Sequence, residues 1–213
     1  GATGGGKTTL VNLLARFYEP TSGVIALDGV DYRERSLNFL QSNLGVVLQT
    51  SHIFAGTVRE NIRYGLLSAT DEAIHAAAEA AGAAPMIKQL DQGYDTMIEE
   101  GGASLSSGQK QLIAFSRALL KDPQILIMDE ATSSVDTLTE KKIEQGLRAL
   151  LKDRISVIIA HRLSTIRHAD QICVLDQGQI IEMGRHEELI AIEGKYHSLF
   201  MQQSLSNLWQ HQS

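Results

Sequence analysis

Two short runs of the sequence are apolar at nearly every position, and they limit the fold more than any other feature. The runs span residues 124–128 and 155–160. Strands that are apolar on both faces occur in parallel sheets that helices cover on each side. Between the runs, Thr137 and Glu140 have the spacing of a capping box, and an apolar stripe with helical period follows. We therefore predict an α/β fold with a mostly parallel sheet.

The remaining patterns divide the chain into an α/β core and a helical insertion. Apolar periodicity predicts helices over 7–17, 36–42, 71–81 and 108–120, and strands over 24–27 and 44–48. Residues 171–175 and 179–183 predict a hairpin around the turn Asp176-Gln177-Gly178. The predicted divisions are a core at 1–55 and 121–203, a helical subdomain at 56–120, and a polar, frayed tail at 204–213.

The composition excludes some classes of protein as first hypotheses. The 213 residues carry a net charge of −6, a poor starting point for binding a phosphate backbone, so we predict no nucleic-acid partner. A single cysteine, Cys173, allows no intrachain disulfide and is consistent with a reducing compartment. No apolar run approaches the roughly 20 residues that a membrane helix needs. If a membrane is involved, we expect the contact in another chain or segment.

The segment from Gly1 to Thr8 fits the phosphate-loop pattern G-x-x-x-x-G-K-[ST]. Glycines allow successive backbone N–H groups to turn toward one anion, and the helix that follows adds its positive N-terminal end. The Lys7 ammonium can reach the β- and γ-phosphates, and the Thr8 hydroxyl can bind Mg²⁺. A flexible glycine-rich turn before a helix is the alternative. Because Gly1 already begins the motif, we expect the chain to be part of a longer protein.

Polar residues end three of the predicted strands. Asp129 and Glu130 follow the strand at 124–128, Gln49 follows the strand at 44–48, and His161 follows the strand at 155–160. Ligands of open α/β sheets bind outside the carboxyl ends of the strands, so we expect these four side chains at one edge. One acid can hold the shell of a magnesium ion while the next faces an attacking water.

The segment Leu105-Ser106-Ser107-Gly108-Gln109 looks like the LSGGQ signature of the ABC ATPase family. The phosphate loop, Gln49, Asp129-Glu130, the Ser134–Asp136 segment and His161 stand around it in the family's order and spacing. The resemblance covers essentially the whole chain. It implies a P-loop NTPase (RecA-like) core with an inserted helical subdomain. Among ABC ATPases the chain is most similar to exporters, because Glu99–Gly102 resembles the exporter loop that touches the membrane domain.

The resemblance implies ATP and Mg²⁺ as cofactors and ATP hydrolysis as the reaction. Glu130 would act as the general base or orient the water, His161 would stabilise the γ-phosphate, and Gln49 would sense Mg²⁺ and the water. The implied magnesium ligands are Thr8, Gln49 and Asp129. The implied nucleotide-binding residues are Gly1, Thr3, Gly4, Gly5, Gly6, Lys7, Thr8, Thr9, Ser106, Gly108, Gln109 and Asp136.

The resemblance also implies partners. Two such domains pair head to tail, so that Ser106 and the Gly108 N–H contact the γ-phosphate of the partner's ATP. A transmembrane domain, either fused upstream or a separate chain, would carry the substrate, and the implied location is the cytoplasmic face of a membrane within an integral membrane transporter. Two alternatives stay open. One is an ABC ATPase without a transporter, and the other is a non-hydrolysing half of an asymmetric pair.

Ser107 departs from the family pattern, which has its first signature glycine at this position. If the position required a positive φ or a close approach to phosphate, serine would destabilise it. If the position lay at the N-terminal cap of a helix, serine would be tolerated or favoured. We predict the second case.

Overall fold

The computed structural model of the chain describes residues 5–48, 51–129, 137–160 and 163–210. By its internal contacts the chain divides into two compact units. One unit comprises Gly1–Val24 with Ile159–Ser213, and the other comprises Ile25–Ile158. Among the described residues, no helix combines the length and the apolar character needed to cross a bilayer.

A three-stranded sheet lies in the second unit, apart from Ile159 at the end of its third strand. Its strands are β3 (Leu44–Val47), β6 (Ile125–Asp129) and β7 (Ile155–Ile159), in the order β3-β6-β7. The first two run parallel, with Leu44 opposite Ile125 and Val47 opposite Met128. Leu126, Ile127 and Met128 are all buried, as expected for a strand that is covered on both faces. The prediction of a parallel sheet is therefore confirmed.

Helices supply most of the packing in this unit. They are α2 (Leu37–Asn43), α3 (Val58–Arg63), α4 (Asp71–Ala80), α5 (Ala84–Ile87), α6 (Ser107–Lys121) and α7 (Thr137–Leu151). Helix α6 is central, because Leu112, Ile113 and Phe115 on it are almost completely buried in the core that also includes Ile143 of α7. The shorter strands of the unit are β1 (Ala26–Leu27), β2 (Val30–Asp31), β4 (Gly56–Thr57) and β5 (Met97–Ile98).

The first unit combines a helix with a hairpin and a helical C-terminal segment. Its elements are α1 (Lys7–Leu14), α8 (Leu163–Arg167), β8 (Ile172–Asp176), β9 (Gln179–Gly184), α9 (His186–Ala191) and α10 (Lys195–Gln210). The antiparallel pairing of β8 with β9 confirms the predicted hairpin. Val174, Leu189 and Tyr196 form the small core of this unit.

Several predicted element boundaries differ from the structure. The first helix ends at Leu14 rather than at residue 17, because Arg16 has the left-handed φ of 55° that terminates a helix. The strand predicted at 24–27 keeps only its last two residues. Helix α7 is described from Thr137 onward, and the residues before it lie outside the described residues, so the predicted capping box stays a prediction. Helix α10 continues to Gln210, into the segment predicted as a frayed tail.

Candidate functional site

The described part of the phosphate loop leads directly into α1. Gly6 is the residue before the helix and has a left-handed backbone, with φ 95° and ψ 3°. Its carbonyl accepts the first helical hydrogen bond, from Leu10 N at 3.0 Å. The first turn of a helix leaves backbone N–H groups without acceptors inside the helix, and its dipole attracts anions. The first turn of α1 contains no acidic residue, so no side chain there competes with a bound phosphate.

The side chains at the start of α1 suit this chemistry. Lys7 is half-buried, whereas Thr8 and Thr9 are exposed. An ammonium group on a partly covered stem can neutralise phosphate charge, and an exposed hydroxyl oxygen is a ligand that Mg²⁺ accepts. The described residues of the loop therefore fit a nucleotide phosphate and its magnesium ion.

Ser106 is the N-terminal cap of α6. Its Oγ accepts a hydrogen bond from Gln109 N at 3.3 Å, and its own N–H donates to Gln109 Oε1 at 2.8 Å. This reciprocal capping box fixes the start of the helix, where Gly108 is buried and Ser106 is exposed. Ser107 is the first helical residue, so it has no positive φ, and the prediction that it lies at the cap is wrong by one residue. Serine is nevertheless compatible with the helical backbone at this position.

Asp129 is the last residue of β6, and its side chain is half-buried. Because β3 and β6 are parallel and Val47 lies opposite Met128, both strands end at the same edge of the sheet. A carboxylate at this edge can act as a ligand of Mg²⁺, which prefers oxygen ligands. Asp129 therefore lies at the carboxyl edge of the sheet, where the sequence analysis expected it.

The structure covers only part of the predicted site. Lys7 belongs to the first unit and Asp129 to the second. Seven predicted site residues lie outside the described residues: Gly1, Thr3, Gly4, Gln49, Glu130, Asp136 and His161. The roles of these and of all the other predicted site residues stay predictions.

Sequence reasoning missed Arg117, which links α6 to the segment that follows the predicted catalytic glutamine. Its Nε donates to the Asn61 carbonyl at 2.9 Å, one terminal nitrogen donates to the His52 carbonyl at 3.0 Å, and the other donates to Asn61 Oδ1 at 3.2 Å. The guanidinium carbon also lies 5.2 Å from the Phe54 ring centroid. Burial lowers the pKa of Arg117 from its ordinary value. An arginine among the buried residues of a helix was the available sequence signal.

Comparison with known proteins extends these observations. A family model described as "ABC transporter" matches residues 1–133. The chain is 53% identical over 203 residues to the uncharacterized ABC transporter ATP-binding protein YfiC of Bacillus subtilis, covering 95% of this chain and 34% of that protein. It is 51% identical to an ATP-dependent lipid A-core flippase of Syntrophus aciditrophicus, covering 93% and 33%. It is 53% identical to a fatty acid ABC transporter ATP-binding/permease protein of Mycobacterium tuberculosis, covering 93% and 32%.

A solved structure gives the same result at the level of the fold. The structure of a bacterial Atm1-family ABC exporter with ATP bound matches with a TM-score of 0.88 and 44% identity, over 95% of this chain and 35% of that chain. The chain thus spans about a third of the length of these curated relatives and of this exporter. The matched P-loop NTPase fold and the family model agree with the signature and the phosphate loop. The chain belongs to the ABC transporter family, as its ATP-binding domain.

Proposed function

We propose that this chain is the ATP-hydrolysing motor domain of an ABC exporter, in which nucleotide binding and hydrolysis drive transport by a membrane domain. The observation that carries the proposal is the start of α1, where left-handed Gly6 precedes Lys7 and a helix whose first turn has no acid. ABC ATPase domains bind ATP, and this arrangement provides backbone amides, an ammonium and a hydroxyl for its phosphates.

The proposed magnesium ligands are Thr8, Asp129 and Gln49. The exposed hydroxyl of Thr8 and the half-buried carboxylate of Asp129 are hard oxygen donors, which Mg²⁺ prefers. When bound, the ion supplies positive charge that offsets the charge developing on the transferred phosphoryl group. Gln49 adds an amide oxygen two residues after β3, the strand that runs parallel to β6.

Hydrolysis needs a positioned water and stabilisation of phosphoryl charge rather than a covalent intermediate. We assign the first task to Glu130, which follows Asp129 and so extends beyond the end of β6. We assign the second task to His161, which follows β7, the strand beside β6. The order β3-β6-β7 supports this assignment, since the residues after these strands include Gln49, Glu130 and His161.

The signature is proposed to act on a second copy of the domain. Ser106 is exposed at the N-terminus of the 15-residue helix α6, whose positive end suits a γ-phosphate from outside the chain. In a head-to-tail dimer each ATP would lie between one phosphate loop and the partner's signature, with Gly108, Gln109 and Asp136 also contributing. Binding of ATP would then close the dimer and hydrolysis would open it, which supplies the conformational change for transport.

The relatives support a membrane partner. One is named as a flippase and another as an ATP-binding/permease protein, and the chain matches only about a third of each. We therefore propose a transmembrane domain as partner and the cytoplasmic face of a membrane as location. The two names specify different cargoes, a lipid A-core and a fatty acid, so the proposal does not extend to one substrate. Both names favour a transporter over an ABC ATPase without one, and the matched structure is named as an exporter.

The proposal is tested by Glu130→Gln in the protein that carries this chain. We expect ATP turnover to fall by about a thousandfold, the order of effect of removing a positioned catalytic group, while ATP-dependent dimerisation persists. Phosphate release measures the first property, and light scattering with and without ATP measures the second. Glu79→Gln, an exposed glutamate on α4, is the matched control and should hydrolyse ATP normally. Near-normal hydrolysis in Glu130→Gln would remove this residue from its assigned role.

A further inference from the structure

The turn between β8 and β9 contacts the backbone of the phosphate loop. Gly178 N donates a hydrogen bond to the Gly5 carbonyl at 3.2 Å. A Cβ atom placed on Gly6 would lie 3.3 Å from Gly178 Cα and 3.8 Å from a methyl of Leu175, so the two backbones approach closely. Hairpin turns usually face solvent. Gln177 and Gly178 are exposed as well, but the Gly178 backbone also contacts the residues directly ahead of Lys7.

The contact fixes the direction of one backbone amide. In a trans peptide the carbonyl and the following N–H point to opposite sides of the same plane. The Gly5 carbonyl accepts from Gly178 and therefore points toward the hairpin, so the N–H of Gly6 points away from it. A phosphate is bound by N–H groups, whereas a carbonyl oxygen turned toward it would repel it.

We propose that the turn formed by Gln177 and Gly178 is a positioning element for the nucleotide. It holds the Gly5 carbonyl away from the bound phosphates and thereby directs the Gly6 N–H toward them. This inference rests on the proposed binding of ATP by residues 5–8. It adds a segment that follows all the predicted site residues in the chain and that acts through its contact with the loop backbone.

The hairpin is built to hold this turn in place. Gln177 has φ 47° and Gly178 has φ 77°, the pair of positive values that two-residue hairpin turns of type I′ require. Asp176 pairs with Gln179 across the turn, and Leu175 next to it is buried. The strands therefore fix the turn on both sides. Glycine suits position 178 because a branched side chain is strained at this φ.

The chain contains a matched control turn. Asp28 and Gly29 connect β1 to β2 with φ values of 52° and 76°, almost the same as those of Gln177 and Gly178. A Cβ atom added to Gly29 or to Gly178 would meet no other atom within 4 Å. Substitution at either glycine therefore introduces the same backbone strain. Substitution at Gly29 leaves the bond from Gly178 to Gly5 intact.

The test compares ATP affinity of the full chain with Gly178→Val, Gly178→Asn and Gly29→Val, measured by equilibrium titration with ATP. We expect Gly178→Val to weaken ATP binding about tenfold, because one backbone hydrogen bond and the orientation of one amide are lost. Gly178→Asn should keep most of the affinity of the unmodified chain for ATP, since asparagine adopts the left-handed conformation more readily than valine does. Gly29→Val should change the affinity by less than about twofold while losing a similar amount of stability.

Lys7→Ala separates the two proposals. If Lys7→Ala loses affinity but Gly178→Val binds ATP like the unmodified chain, the positioning role of the turn is overturned and the phosphate site stands. If Lys7→Ala also binds normally, the proposed phosphate site itself fails. Equal losses in Gly178→Val and Gly29→Val would assign the effect to general destabilisation and would overturn the inference. Should Gly178→Val not fold, the same comparison is made between Gly178→Ala and Gly29→Ala.

Discussion

At the level of single residues, the position of Ser107 in the structure explains why a serine can replace the first glycine of the family's signature. The residue begins α6 with helical geometry, directly after the Ser106 cap. Its conformation is open to any residue, so a glycine here gains nothing from its tolerance of positive φ. Glycine in a helix instead loses backbone entropy on folding. The serine is thus compatible with the signature helix.

The substitution Ser107→Gly tests this conclusion through the direction in which it changes the free energy of unfolding. We expect it to lower the free energy of unfolding by about 0.5 kcal/mol, because glycine is a weaker helix former than serine. Ser106→Ala should cost more, about 1 kcal/mol, because it removes the cap from Gln109 N. Urea denaturation followed by circular dichroism measures both values. A gain in stability for Ser107→Gly would mean that the position does require a positive φ.

The residue-scale predictions came close where the chemistry is local. A serine was expected to cap the signature helix because serine side chains accept from free N–H groups, but the prediction placed Ser107 at the cap, and the cap is Ser106. The contact between Gly178 and Gly5 could not be predicted in this way. The sequence indicates a turn at Asp176-Gln177-Gly178, but not which distant backbone the turn contacts, since that depends on tertiary packing.

At the level of elements, α6 connects three parts of the candidate site. Its N-terminus carries the signature, Arg117 on its third turn binds the segment around His52 and Asn61, and its C-terminus leads through Pro123 into β6. A movement at one end of a helix is transmitted along it, because its backbone hydrogen bonds make it stiff. The half-buried Arg117 therefore links the signature helix to the segment from His52 to Asn61.

Substitution of Arg117 tests this link. Arg117→Met keeps much of the volume but leaves the Asn61 and His52 carbonyl oxygens without the arginine donor, while Asn61 Oδ1 keeps only its bond from Phe54 N, so we expect a loss of about 2–3 kcal/mol in the free energy of unfolding. Arg117→Lys should recover part of it, because an ammonium group can still reach one acceptor. Denaturant titration measures the values. An effect below about 0.5 kcal/mol, typical of a surface change, would show that the contacts are weak.

The elements were predictable where the apolar pattern is strong. Buried β6 and the amphipathic α6 lie close to the limits that the apolar pattern predicted, and a helix was expected where α7 lies. The two-residue strands β4 and β5 were not predicted, because so short a pairing is decided by tertiary contacts rather than by its own sequence. The early end of α1 was missed for a related reason. The apolar stripe continues to Phe17, but the backbone turns at Arg16.

At the level of the whole molecule, the proposed head-to-tail dimer determines which residues bind the same ATP. Lys7 and Glu130 of one chain would serve the same ATP, whereas Gly108 of that chain would serve the partner's ATP. A two-fold dimer has two such composite sites related by symmetry. The arrangement can therefore be tested by mixing inactive variants, without any image of the dimer.

Mixing Lys7→Ala with Gly108→Asp should restore hydrolysis. Each mixed dimer would contain one site with both an intact phosphate loop and an intact signature, and its other site would carry both changes. At equal amounts half of the dimers are mixed and half of their sites are intact, so we expect about a quarter of the normal rate. Phosphate release is measured for each variant alone and for the mixture.

The mixture of Lys7→Ala with Glu130→Gln is the matched control. Both changes fall on the same composite site of their own chain, so every site in a mixed dimer carries one of them, and no activity should return. Restored hydrolysis in both mixtures would mean that Lys7 and Glu130 of one chain do not serve the same ATP, or that the single variants keep some activity. Absence of restoration in the first mixture, with both variants folded by circular dichroism, would contradict a site shared between a phosphate loop and the partner's signature.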